Sequence, residues 1–176
     1  MDVIPAAVRC MVLVAALLAA ACGTPAEPTR SAGPLSNTFE SPEALAGAVL
    51  DALAARDVAR LGALALSEAE FRDHVWPELP TSRPERNVPF EYAWGQMRQQ
   101  SEGSLSQTVA RYGGAPLRFV RTRFTGETTD YATFSVRRES EIIATDANGR
   151  DLVLRLYGSA MVKDGRYKLF SFVVDD

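Results

Sequence analysis

Glu70, Asp73, His74 and Trp76 are the residues whose types and spacing come nearest to acid–base chemistry. Glu70 and His74 stand four apart, so a helix would carry both on one face. A carboxylate beside an imidazole is the pairing a general base uses, and such a base could sit at the mouth of a pocket. The same residues carry a second reading. Ser67-Glu68-Ala69-Glu70 fits a capping box, which engages Glu70 at a helix start and leaves His74 as a packing residue. His74 is the only histidine of the chain, so a serine triad would have no other base and a histidine metal cage no second ligand. No phosphate-binding glycine loop, nucleophile elbow, paired-cysteine zinc pattern or calcium loop is present, and neither a metal nor a cofactor is expected.

Two further groups have the chemistry of recognition. Trp76, Tyr92 and Trp94, with Phe90, Tyr112 and Arg98 in or beside the same segment, are types that line pockets or anchor contact surfaces. They are also types that fill cores, and Phe90 and Trp94 at helical spacing suit that role. Arg118, Arg121, Arg123, Arg137 and Arg138 form a basic stretch. Arg121 and Arg123 are expected on one face with Leu117 and Phe119, around an anionic ligand or partner, or else as a solvated strand face balanced by Glu139 and Glu141.

The amino terminus concerns location. A short leader ends in Arg9, and an apolar run of 11 residues follows from Met11 to Ala21. That is well short of the roughly 20 residues a membrane-spanning helix needs, so residues 1–21 are expected to be a secretory signal. Leu18-Ala19-Ala20-Ala21-Cys22-Gly23 resembles the bacterial lipoprotein processing box. The resemblance implies cleavage before Cys22 and acylation of its thiol, although Ala19 stands where the box favours Leu. Cys10 leaves with the signal, so Cys22 would otherwise be a lone thiol in an exported chain. Gly23 after the cysteine implies passage to the periplasmic face of the outer membrane in a host that has one. Residues 22–40, with three prolines, two glycines and little apolar bulk before Phe39, are expected to be a flexible tether reaching roughly 20–25 Å.

Elements beyond the tether follow from periodicity and punctuation. Ser41-Pro42-Glu43 opens a helix with Leu45, Val49, Ala52 and Leu53 on one face. Asp57 caps a short second helix with Val58, Leu61 and Leu64. A third begins at Ser67 with Phe71 and Val75 as its stripe, and Pro77 and Pro80 end it before an irregular loop. A long helix is expected from about Phe90 to Tyr112, closed by Gly113-Gly114. From Pro116 the period becomes two, giving strands at about 117–124, 129–144, 151–163 and 166–174. Thr125-Gly126, Asn148-Gly149 and Asp164-Gly165 are expected as their hairpin turns. Helices segregated from strands predict an α+β domain over 41–176. Its N-terminal helices should pack on one face of a curved antiparallel four-stranded meander.

Leu53 to Leu64 (LAARDVARLGAL) and the closing run Gly165 to Val173 (GRYKLFSFV) carry a resemblance to a known superfamily. With the element order, they resemble the nuclear transport factor two-like (ketosteroid isomerase-like, cystatin-like) domains. That likeness implies a cone-shaped fold, which hosts enzymes, binding modules and assembly domains alike. The chain carries 19 Lys+Arg against 22 Asp+Glu, a formal charge of −3, with 47% apolar residues. Near balance of charge excludes a dedicated nucleic-acid binder. The functional expectation is a membrane-anchored envelope lipoprotein that binds an envelope protein or a small apolar ligand without catalysis. The alternative is a small hydrolyase- or isomerase-type enzyme using the cone pocket.

Overall fold

The computed structural model describes residues 33–174. The signal, the acylation expected at Cys22 and the first part of the tether lie outside them. The domain is α+β, with helices and two antiparallel sheets of three and four strands that do not close into a barrel.

Helix α1 (Pro42–Ala54) starts where the Ser41 hydroxyl accepts from Ala44 N at 3.1 Å, with Pro42 in the first turn. It buries Leu45, Val49, Ala52 and Leu53, the face its period predicts. Helix α2 (Val58–Leu64) is capped by the Asp57 carboxylate on Arg60 N at 2.9 Å. Leu61 and Leu64 go inside, but Val58, expected with them, is 52% exposed. The capping box at Ser67 forms with both reciprocal bonds. The short α3 (Glu68–Glu70) that it opens continues as one widened π-helical turn over Phe71–Val75. Single turns at 76–78, 80–82 and 84–86, each with proline at its start, carry the chain to α4 (Phe90–Tyr112).

Seven short strands stand where four were expected: β1 (Arg118–Phe124), β2 (Thr128–Asp130), β3 (Ser135–Arg138), β4 (Ser140–Thr145), β5 (Asp151–Leu154), β6 (Ser159–Lys163) and β7 (Arg166–Ser171). They pair in the orders β1-β4-β5 and β2-β3-β6-β7. The long strand expected over 129–144 is interrupted twice. The chain reverses at 131–134, where Tyr131 N donates to Phe134 O at 2.8 Å and the two rings stack at 4.5 Å. At Glu139 the backbone turns left-handed with φ 54°. Thr125 and Gly126, expected as a hairpin turn, instead donate to Glu139 O and Arg138 O across the ladder. The strand expected over 151–163 is interrupted at 155–158, where Gly158 passes so close to the Val173 carbonyl that a Cβ would collide with it. The turns at Gly149 and Gly165 form as expected, with φ of 78° and 73°.

Both faces of the β6–β7 pair are covered, where one was expected. Ala160 and Leu169 join α1 and α2 in one core. Met161, and Phe170 beside it, join a second core built on Leu66, Phe71, Val75, Phe134 and Val136. The aromatic segment after α3 supplies the second cover, because Trp76, Phe90 and Trp94 pack on that core.

The folded body also begins earlier than Ser41. Phe39 and Tyr167 exchange backbone bonds at 2.8 Å each way. Asn37 Nδ2 donates to Ala63 O at 2.9 Å, and Arg166 Nε donates to the Thr38 hydroxyl at 2.7 Å. Residues 33–40, expected within the tether, therefore form a strap along the domain. Its two large apolar groups explain why: Phe39 packs on the first core and Leu35 on the second.

Candidate functional site

Glu70 is committed to structure. Its Oε2 accepts from Ser67 N at 2.8 Å, and its Oε1 accepts from Ser36 N at 2.7 Å and Ser36 Oγ at 2.9 Å. Lys168 Nζ lies 3.4 Å from Oε2 and donates to Ser36 O at 2.8 Å. Burial alone would raise this carboxyl, but the bonds from Ser67 and Ser36 and the charge of Lys168 outweigh it. The Glu70 carboxyl is held below the usual carboxylate range. Burial pushes the Lys168 ammonium down, with Glu70 opposing. A general base needs a free lone pair, and donors from three residues already occupy this carboxylate.

His74 is buried, and its Nε2 lies 2.7 Å from Gly33 O, so Nε2 carries the proton in that bond. No carboxylate among the described residues bonds to it. Its ring lines a cavity of about 410 Å³ under the strap, with Pro34, Leu35, Lys163, Asp164 and Arg166. The cations there are already engaged. Lys163 Nζ donates to Thr133 Oγ1 at 2.8 Å, and Arg166 holds Thr38. Glu70 and His74 thus both anchor the strap, at Ser36 and Gly33.

The aromatic candidates separate. Phe71 has Trp94 at 5.5 Å, Phe90 at 6.0 Å and Trp76 at 6.4 Å between ring centroids, and Arg72 lies 4.2 Å over Phe90. Trp76 and Trp94 are half-buried in this cluster, whereas Tyr92, in the first turn of α4, is 62% exposed. Arg98 is exposed and loosely paired with Glu102 at 3.8 Å.

Trp94 also lines a second space. An apolar groove of about 190 Å³ lies between α2, α4 and β7, walled by Leu66, Trp94, Met97, Leu105, Phe170 and Phe172. Arg98 and Glu102 contribute its polar side. Phe172 N donates to Ser101 Oγ at 3.0 Å, which fastens β7's end to α4 beside it. The mixture of three aromatic residues, flexible methionine and branched walls suits an apolar guest.

The arginines do not lie as the alternation predicts. The register shifts between Phe119 and Arg121, a bulge at Val120. Phe119 and Phe124 then face the first core, while Arg118, Arg121 and Arg123 are exposed on the other side. Leu117 and Phe119 therefore do not share their face. Arg123 grips Glu141 through Nη2 at 2.6 Å and Nε at 2.8 Å. Arg155 reaches the same carboxylate at 3.4 Å. The Arg123 bonds, with Arg155 adding to them, hold Glu141 below its usual range.

Ser36 and Met97 carry no sequence motif, and the closing run that holds Lys168, Phe170 and Phe172 assigns none of them a role at a site. The one signal available was alternation, in which Lys168 and Phe170 share the face opposite Leu169. That pattern marks the lysine as inward only if both faces are covered. Among the described residues no group of acidic, histidine or cysteine side chains could hold a metal, and no helix is long and apolar enough to cross a membrane. Comparison with protein-family models, with curated proteins and with solved structures gives no match.

Proposed function

We propose that this chain is exported, anchored to the bacterial cell envelope through acyl chains on Cys22, and acts by binding a small apolar ligand rather than by turnover. The observation that carries the binding reading is the apolar groove beside Trp94, together with the engagement of Glu70 by its donors. Export and anchoring rest on the apolar run that ends in small residues before Cys22. The two sheets are read as the halves of one bent, cone-like four-stranded meander. Glu139 alone separates β3 from β4, and the bonds from Thr125 and Gly126 to Glu139 and Arg138 bridge β1 and β2. This finer description follows the superfamily resemblance.

Trp94 supplies the test of binding. Titration of the Trp76→Phe protein with decanoate should give a saturable change in the emission of Trp94, the remaining tryptophan. Met97→Ala and Phe170→Ala should weaken it. Emission that does not respond, or a His74→Ala protein that stays folded but loses a measurable reaction, overturns the reading. Anchoring is tested separately by mass spectrometry of the amino-terminal peptide from the membrane fraction. A free Cys22 thiol, or Cys22→Ser protein still in that fraction, removes the anchor.

A further inference from the structure

We propose that the polar pocket between the C-terminal half of α4 and β5 is a second binding site, for a small soluble hydroxylated anion of the sugar-phosphate class. The pocket has a volume of about 590 Å³ and is lined by Ser104, Gln107, Thr108, Arg111, Tyr112 and Arg155, with no acidic side chain in its wall among the described residues. Ser104, Gln107, Thr108 and Arg111 recur at three- and four-residue spacing, so they present one face of α4. Two guanidinium groups supply planar forks for an oxyanion, and the hydroxyls and amide supply partners for sugar hydroxyls.

Thr108 gives an independent pointer. It is only 8% exposed, it lines this pocket, and its hydroxyl makes no hydrogen bond to another described residue. Ser140 and Thr145, also buried, spend their hydroxyls on the Tyr157 carbonyl and on Asp151. A hydroxyl that no described residue occupies, beside a polar cavity, is free to bond a ligand there.

The charge is available as well. Arg111 has no carboxylate partner among the described residues and lies 5.2 Å from the Tyr112 ring. Arg155 reaches Oε1 of Glu141 at 3.4 Å, while Arg123 holds Oε2 at 2.6 Å. Arg155 can swing to a ligand without orphaning Glu141. The neighbouring sheet face reinforces the sign. Arg121 pairs across to Ile143 and Ile143 to Val153, whose side chain borders the pocket. Arg118 and Arg121 on that face, unlike Arg123, which Glu141 neutralises, add positive charge that raises the local concentration of anions. The site is separate from the apolar groove and does not depend on it.

Glucose 6-phosphate, inorganic phosphate and glucose are the probes, titrated into isotopically labelled full-length protein at fixed salt. Glucose 6-phosphate should shift the amide signals of Thr108, Arg111 and Arg155 saturably. Phosphate should shift the same signals at least tenfold more weakly, and glucose should leave them unmoved. Arg111→Gln and Arg155→Gln should each weaken glucose 6-phosphate at least tenfold with an unchanged melting curve. Thr108→Val, which keeps the packing volume, should weaken it without unfolding the domain. Absence of saturable shifts, variants that bind like the parent, phosphate binding as tightly as the sugar phosphate, or glucose binding equally well would each overturn the assignment.

Discussion

Lys168 Nζ stands 3.4 Å from Glu70 Oε2 with the two side chains only 1% and 8% exposed, so a full ion pair spans β7 and α3 out of water. Ser36 closes the arrangement by bonding both partners, two bonds to the carboxylate and its carbonyl to the ammonium. Removing one partner strands a buried charge, a loss of about 3–5 kcal/mol. Lys168→Met and Glu70→Gln should each lower the unfolding free energy from urea denaturation by such an amount. The double variant should recover part of it, since no lone charge is left. Additive losses in the double-mutant cycle would show that the pair is not coupled.

The same carboxylate sets an acid limb. A carboxyl held below its unfolded value contributes stability that is complete above about pH 4.3 and is lost as pH falls through its folded value. The parent should lose stability from about pH 4.3 downward, and Glu70→Gln should lose less over that window. Glu78 and Glu141 are also held low, so the limb should flatten rather than vanish. Denaturation midpoints measured from neutral pH into acid decide it, and parallel curves would remove Glu70 from the account.

Leu154 tests the first core. It is 3% exposed on β5, pairs with Ile142 of β4, and packs with α1. Leu154→Ala should cost about 2–5 kcal/mol. Val153, its neighbour, is 58% exposed, and Val153→Ala should change the unfolding free energy by less than about 0.5 kcal/mol.

The Tyr157 hydroxyl is wholly buried and makes no well-formed hydrogen bond to a described residue. Burial pushes its pKa up, with the Thr122 hydroxyl opposing weakly from beyond good hydrogen-bond geometry. An orphaned buried hydroxyl costs about 1–3 kcal/mol, so Tyr157→Phe should be neutral or stabilising. A raised folded pKa gives stability that is complete below about pH 10 and is lost as pH rises, because the unfolded phenol ionises first. The parent should therefore weaken in alkali more than Tyr157→Phe does. A variant that loses more than about 1 kcal/mol at neutral pH would show a partner for the hydroxyl.

Local rules were legible in the sequence where one side chain decides the outcome. Ser41, Asp57 and Ser67 cap as read, and α4 spans Phe90–Tyr112 between the limits its composition predicts. The strand breaks were not legible, because they depend on partners distant in sequence. Glu139 adopts a left-handed backbone that its residue type does not advertise, and Gly158 is required by Val173. The bulge at Val120 likewise moves Arg121 and Arg123 off the face their alternation assigned. In the candidate site, the capping role of Glu70 was readable from three neighbouring residues. Lys168, which comes to it from 98 positions later, was not. The groove at Trp94 depends on α2, α4 and β7 meeting, and no local pattern carries that information.

The strap yields the last prediction, which is also the sharpest contrast between composition and contact. Prolines and glycines in 23–40 read as a spacer, yet its second half is bound at Gly33, Ser36, Asn37, Thr38 and Phe39. A chain beginning at Ser41 would lose both backbone bonds between Phe39 and Tyr167, the Ser36 bonds to Glu70 and Lys168, and the apolar cover of Phe39 and Leu35. At about 0.5–1.5 kcal/mol for each hydrogen bond, it should be destabilised by more than about 2 kcal/mol. Glu70 and Lys168 would become accessible, so hydrogen exchange should quicken at Ser67–Glu70 and at Lys168. A chain beginning at Ala32 should melt with the parent. Equal stability of the two truncations would return the boundary to Ser41 and make the strap an adherent tether instead of part of the domain.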